Sequence, residues 1–374
     1  MKNSEKIFVT KPLLPPIEEY IHLLKNIWDQ KWLTNNGLYH REFEHKLCKY
    51  LGVNYCNLFA NGTLALVVGL QALRITGEVI TTPFSFVATT HALQWNGIQP
   101  VFCDIEDRTM NMDPEKVESL ISPKTTALLP VHVYGHPCDI NRYAKIADTY
   151  GLKLIYDAAH AFDVKVGGTS VLNYGDLSVL SFHATKTFNT AEGGAIITND
   201  EKLKKRIDYL KNFGFADEVT VVAPGINAKM NEMQAALGIL QLKIIDNEIK
   251  GRKKIADLYR RLLGEIDGIT MMHELEDVTY NHSYFPILVD SEAYGSSRDD
   301  LYTLFRNENI FARRYFYPLI SNFPSYRGLP SATKDNLPIA NRIADQVLCL
   351  PIYGELEQIH VERIVQIIIS NKKT

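Results

Sequence analysis

Seven short apolar, β-rich runs recur between residues 55 and 200, and the stretches between them carry helical patterns. They are NLF, EVITT, PVFCDI, TALLPVHVYG, LKLIYDAA, LSVLSF and GAIITN. Alternation of strand and helix signals argues for an α/β fold with a mainly parallel sheet, whose ligands sit at the carboxyl ends of the strands. Every segment below that could carry chemistry falls at such an end. At 374 residues the chain is long enough for two lobes.

The rest of the sequence frames this sheet. PPIEEYIHLLKNIWDQ and REFEHKLCKYLG have helical spacing and flank a polar turn, Thr34, Asn35, Asn36 and Gly37, which is a candidate ligand loop. From Met230 to about Ile266 apolar residues recur at intervals of three and four. This predicts one long helix or two, with Gly251 the weak point, bridging to a smaller α/β lobe. The division is expected near residue 248, with residues 1–248 in the large lobe and 249–374 in the small one. The Pro, Ser and Gly content of 322–336 predicts a surface loop.

Composition excludes several function classes. A formal charge of −3, with acids and bases interspersed, gives no field that would gather nucleic acid or anionic lipid. No apolar stretch approaches the length of a membrane span, and the first residues do not read as a secretory signal, so a cytoplasmic location is expected. The five cysteines are scattered and show no spacing of a zinc site or disulfide framework. No metal is expected.

The segment SFHATKTFNTAEGGAIITND places Lys186 after one apolar strand and before a Gly-Gly step into the next. Alone, such a lysine reads as a solvated surface amine. Upstream, LKLIYDAAHAF ends another strand on Asp157, which alone could be a helix cap. Together they are the pair that pyridoxal 5′-phosphate needs: an amine for its aldehyde and a carboxylate that keeps the ring nitrogen protonated. FANGTLALVVGLQAL sets Asn61, Gly62 and Thr63 at the start of a helix, where free amides and the helix dipole suit a phosphate, although a plain capped turn also fits. Phe84 and Phe86 follow a strand and could stack on a ring or pack in the core. Ser181 and His183 bracket the approach to Lys186, the serine suited to phosphate, and either could instead serve local hydrogen bonding.

Together, KWLTNNG, FANGTLAL, TPFSFVATTHAL, VHVYG, YDAAHAF, SFHATK, EGGA, GINAKMNEMQAALG, RRYFYPL and LCLPIYG resemble, in order and over nearly the whole chain, the DegT/DnrJ-type sugar aminotransferases. The resemblance implies the fold type I architecture of pyridoxal-phosphate-dependent transferases: a large domain with a mixed, mainly parallel seven-stranded sheet and a smaller C-terminal α/β domain. It makes Lys186 the lysine that forms the Schiff base and Asp157 the partner of the pyridine nitrogen. Gly62, Thr63 and Ser181 would take the phosphate, Phe86 would stack on the ring, and His160 would approach the ring hydroxyl. Asn227 would reach the phosphate bound by the neighbouring subunit, which implies a homodimer with shared active sites. Thr34, Asn35, Asn36, His183, Lys229, Tyr315 and Tyr317 are the implied substrate residues, Lys229 standing where many relatives have arginine.

The implied reaction moves an amino group from L-glutamate to a nucleotide-linked keto sugar. KWLTNNG is more similar to relatives that act at C4 of a 4-keto-6-deoxy sugar, such as dTDP-4-keto-6-deoxy-D-glucose, than to those acting at a 3-keto group. Sugar dehydratases of the family replace the lysine by histidine, which Lys186 argues against. A regulatory protein that only binds the cofactor is the alternative of another class, and a Rossmann-type nucleotide binder is disfavoured by the lack of GxGxxG after the first strand.

Overall fold

The computed structural model describes residues 5–373. Each of the seven apolar runs contributes a strand of one sheet: β1 (Tyr55–Phe59), β2 (Glu78–Thr81), β3 (Gln99–Phe102), β4 (Thr125–Leu129), β5 (Lys153–Asp157), β6 (Leu177–Ser181) and β7 (Gly194–Thr198). Their order across the sheet is β1-β7-β6-β5-β4-β2-β3. The pairs from β6 to β3 are parallel, while β7 runs antiparallel to both its neighbours. The sheet is therefore mostly parallel, as the pattern implied, and mixed, as the family resemblance implied.

Burial on both faces explains why these strands read as continuous apolar runs rather than alternating ones. The helix Gly62–Ala72 is apolar nearly all round because it lies between the sheet and the helices Ala88–Trp95 and Glu201–Leu210. Among the described residues no helix is long and apolar enough to cross a membrane. All five cysteines are free thiols, four of them buried.

A second lobe is built on an antiparallel sheet of Ile269–Met271, Phe285–Val289 and Val347–Leu350. The connecting helix Glu232–Leu263 opens on a capping box between Asn231 and Gln234 and continues unbroken through Gly251. That glycine marks a crossing, because a Cβ there would stand 2.6 Å from the Gly354 Cα. Beside it Arg252, buried, pairs with Glu248 at 2.6 Å, and Glu248 also accepts the Gly354 N–H. The helix begins in the core of the large lobe, through Ala235, Ala236, Ile239 and Ile245, and ends in that of the small one, through Ile255, Ala256, Tyr259 and Leu263.

Two features depart from the linear reading. The strand Ile7–Phe8 pairs in parallel with Ile310–Phe311, and Ile7 belongs to the small-lobe core, so a split by residue number does not describe the N-terminus. Residues 322–336 are mostly exposed but pinned by buried Tyr326, whose hydroxyl meets His91 Nδ1 at 2.6 Å. An aromatic anchor holds what composition alone reads as loop.

Candidate active site

The carboxyl ends of β1, β5 and β6 open onto one cavity of about 630 Å³. Of the residues singled out in the sequence, Asn61, Gly62, Thr63, Phe86, Asp157, His160, Ser181, His183, Lys186 and Tyr315 line it. Phe84 does not. It is fully buried, edge-on to Tyr134 and Phe316, while Phe86 is 57% exposed at the cavity wall. One phenylalanine is thus core and the other is left to cover a ligand.

The cap of the helix Gly62–Ala72 is Asn61, whose side chain accepts the Leu64 N–H at 2.9 Å. That bond leaves the amides of Gly62 and Thr63, which have no intrahelical partner, at the cavity end. The close approach of β7 makes this possible, since a Cβ on Gly194 would lie 2.7 Å from the Gly62 nitrogen. A Cβ on Gly62 would likewise press to 3.0 Å on Ser181 Cβ, so amides and hydroxyl form one tight cradle.

Asp157 forms the floor. Its Oδ2 accepts the Thr89 hydroxyl at 2.7 Å and its Oδ1 the Ala159 N–H at 3.1 Å. Burial pushes the carboxyl above its usual range, against those two hydrogen bonds and the charge of Lys186. A protonated ring nitrogen is the partner that would hold such a carboxylate ionised. His160 is kept neutral by burial and then by the charge of Lys186. Its Nδ1 accepts the Tyr134 N–H at 3.2 Å, which puts the ring proton on Nε2. Lys186 donates to the Tyr284 hydroxyl at 3.3 Å, and burial, opposed by the charge of Asp157, lowers its amine to about 8.

The other expected residues lie elsewhere. Thr34, Asn35 and Asn36 are exposed on a turn, which is fastened where Glu232 donates its N–H to the Leu33 carbonyl. The Glu232 carboxylate accepts the amides of Tyr39 and His40, capping the helix that follows. Asn227 is exposed and outside the cavity; Lys229, half-buried, is also outside it, and its Nζ meets Asn212 Oδ1 at 2.6 Å over the Phe213 ring. Tyr317 lies between the guanidinium groups of Arg298 and Arg314. Thr89, Tyr284 and Phe316 join the cavity without having been anticipated.

A cradle of amides at a helix start, a buried carboxylate and a buried amine in one cavity suit pyridoxal 5′-phosphate. Residues 16–369 match the DegT/DnrJ/EryC1/StrS aminotransferase family. The chain belongs to this family. It is a pyridoxal-phosphate-dependent aminotransferase. Over 371 residues it is 54% identical to a dTDP-4-amino-4,6-dideoxy-D-glucose transaminase of Escherichia coli, covering 98% of this chain and 99% of that one. A transaminase of the same name from Shigella dysenteriae is 51% identical over 365 residues, with 98% and 99% covered. A solved structure of DesI in the presence of its TDP-sugar product superposes with a TM-score of 0.95 at 34% identity, covering all of this chain and 94% of the other. The aminotransferase thus shares its fold, and not merely its motifs, with sugar-processing relatives.

Proposed function

We propose that this aminotransferase moves an amino group from L-glutamate to C4 of dTDP-4-keto-6-deoxy-D-glucose, giving dTDP-4-amino-4,6-dideoxy-D-glucose for surface polysaccharide such as O-antigen. The observation that carries the substrate is the 54% identity, end to end, with a transaminase of that name. The cavity supports the chemistry. Pyridoxal 5′-phosphate, when bound, supplies an aldehyde and a ring that accepts electrons. Lys186 Nζ is the amine that would hold it covalently and, when free, would take the proton from the donor's α-carbon. The carboxylate of Asp157 would hold the proton of the ring nitrogen, and His160 Nε2 would donate to the ring oxygen. Gly62, Thr63 and Ser181 bind the phosphate, and Phe86 shields the ring face from water.

We further propose that the enzyme works in the cytoplasm as a homodimer with shared active sites. Asn227 lies outside its own cavity at the end of a segment that exposes Phe213, Phe215, Val221 and Val222. An apolar patch of this kind suits a second copy, to whose phosphate site Asn227 would then belong. Thr34, Asn35, Asn36, Lys229 and Tyr317 would meet the nucleotide sugar only in such an assembly, whereas His183 and Tyr315 meet it from within.

The test is an assay with L-glutamate and, in parallel, dTDP-4-keto-6-deoxy-D-glucose and its 3-keto isomer, with the amino position read by NMR. An amine at C4 is expected. An amine at C3, or transfer from glutamate with no sugar product, would remove the substrate assignment.

The lowered amine sets a pH dependence. Only unprotonated Lys186 attacks an aldehyde, so its reactive fraction grows as pH rises towards about 8 and saturates above it. Capture of pyridoxal 5′-phosphate by the apoprotein, followed by the absorbance of bound cofactor over a pH series, should accelerate and level off accordingly. A capture rate that keeps climbing to the range of a free lysine would contradict a desolvated amine.

A further inference from the structure

Lys186 must hold a fixed place in two protonation states, and the residue that touches its amine comes from the other lobe. Tyr284 immediately precedes the strand Phe285–Val289, and its hydroxyl lies 3.3 Å from Lys186 Nζ. Its ring is held by His160 edge-on at 4.9 Å, by Tyr134 at 5.4 Å and by Tyr315 edge-on at 5.8 Å. The backbone behind it is equally constrained. Ser283 Oγ donates to the His160 carbonyl at 2.8 Å and lies 3.0 Å from Thr187 Oγ1, one residue beyond the lysine. The Ser283 carbonyl accepts Arg252 at 3.2 Å, and Arg252 is itself fixed by its buried pair with Glu248.

A phenol both donates and accepts a hydrogen bond, whereas an ammonium only donates and a neutral amine can accept. Burial holds the Tyr284 hydroxyl above its ordinary range, so it stays a neutral phenol. Among the described residues, no other hydroxyl lining the cavity is hydrogen-bonded to Lys186 Nζ. Asp157 attracts the ammonium but cannot donate to the neutral amine. His160 spends Nδ1 on the Tyr134 amide, and His183 lies 2.8 Å from Thr185 Oγ1 and 3.8 Å from Glu192.

We propose that Tyr284 is the positioning residue for Lys186, accepting from its ammonium and donating to its neutral amine, so that Nζ stays in place while it gains and loses the proton of transamination. This rests on Lys186 as the amine that carries the cofactor.

Tyr284→Phe removes the hydroxyl and keeps the ring packing, and a thermal melt verifies that the fold is retained. Two measurements follow. Apoprotein is mixed with pyridoxal 5′-phosphate and quenched with borohydride at intervals, and the reduced adduct is located by peptide mass spectrometry. The glutamate half reaction is then timed in single turnovers with ordinary and α-deuterated L-glutamate. The variant should form the Lys186 adduct several-fold more slowly. Its amino transfer should fall by up to about 10²-fold, the cost of misplacing a catalytic group by about an ångström. The concentration of glutamate giving half-maximal rate should hardly change, and the deuterium effect should rise as proton removal becomes limiting. Wild-type capture and an unchanged deuterium effect would overturn the proposal. An adduct on another lysine, in wild type and variant alike, would instead overturn the assignment of Lys186 on which it stands.

Discussion

Lys186→Ala protein should fold, bind pyridoxal 5′-phosphate without covalent attachment, and transfer no measurable amino group. Loss of the proton transfer alone removes roughly 10²–10⁴-fold of rate, and loss of the attacking amine adds to it. Among the described residues lining the cavity it is the only lysine, so none of them can take over. The fold should survive because the amine makes one hydrogen bond, to Tyr284, and no salt bridge, and burial lowers it to about 8. The check is a single-turnover assay with L-glutamate beside an absorbance spectrum of the dialysed protein. Wild-type turnover, or a covalent cofactor signal that survives dialysis, would defeat the assignment.

Asp157→Asn is the second large effect, and it separates charge from shape. The hydrogen bonds at the site can be kept: Oδ1 of the amide still accepts the Ala159 N–H, and the Thr89 hydroxyl can accept from the new NH₂ group. Thr89 Oγ1 also lies 2.9 Å from Ser85 Oγ and can turn its proton that way. What disappears is the negative charge against the ring nitrogen. Amino transfer should fall by about 10²–10³-fold, as when one preorganised electrostatic partner is removed. Cofactor affinity should fall far less, since the phosphate cradle is untouched. Equilibrium titration with pyridoxal 5′-phosphate and a timed half reaction give the two numbers. Equal losses in both would mean that Asp157 acts by shape, and wild-type rates would mean that the ring is protonated by another group.

The strands and their catalytic ends were legible because each obeys a local rule. A buried parallel strand is an apolar run, and the polar residue that ends it, Asp157 or Ser181, must either face a ligand or find a partner. What stayed hidden depends on contacts between distant segments. Tyr284 reaches Lys186 across 98 positions of sequence, and Thr89 reaches Asp157 across 68. A tyrosine before an apolar strand or a threonine in a helix carries no mark of such a meeting. Gly251 shows the same limit from the other side: its composition signal is that of a helix breaker, while its reason is the backbone of Gly354 passing against it. The stretch 322–336 is mostly at the surface as expected, but the buried ring of Tyr326 that pins it left no sign in its composition.

The pairing of Ile7–Phe8 with Ile310–Phe311 bears on how the chain comes off the ribosome. The strands of the large sheet lie within residues 55–198 and can register with one another while the rest is still being made. The opening strand cannot, since its partner emerges about three hundred residues later and closing so long a loop is entropically costly. The core of the smaller lobe therefore cannot be completed before residues 310–311 are made. A gene fragment that begins after the long helix would encode that lobe without the Ile7 side chain that fills its core.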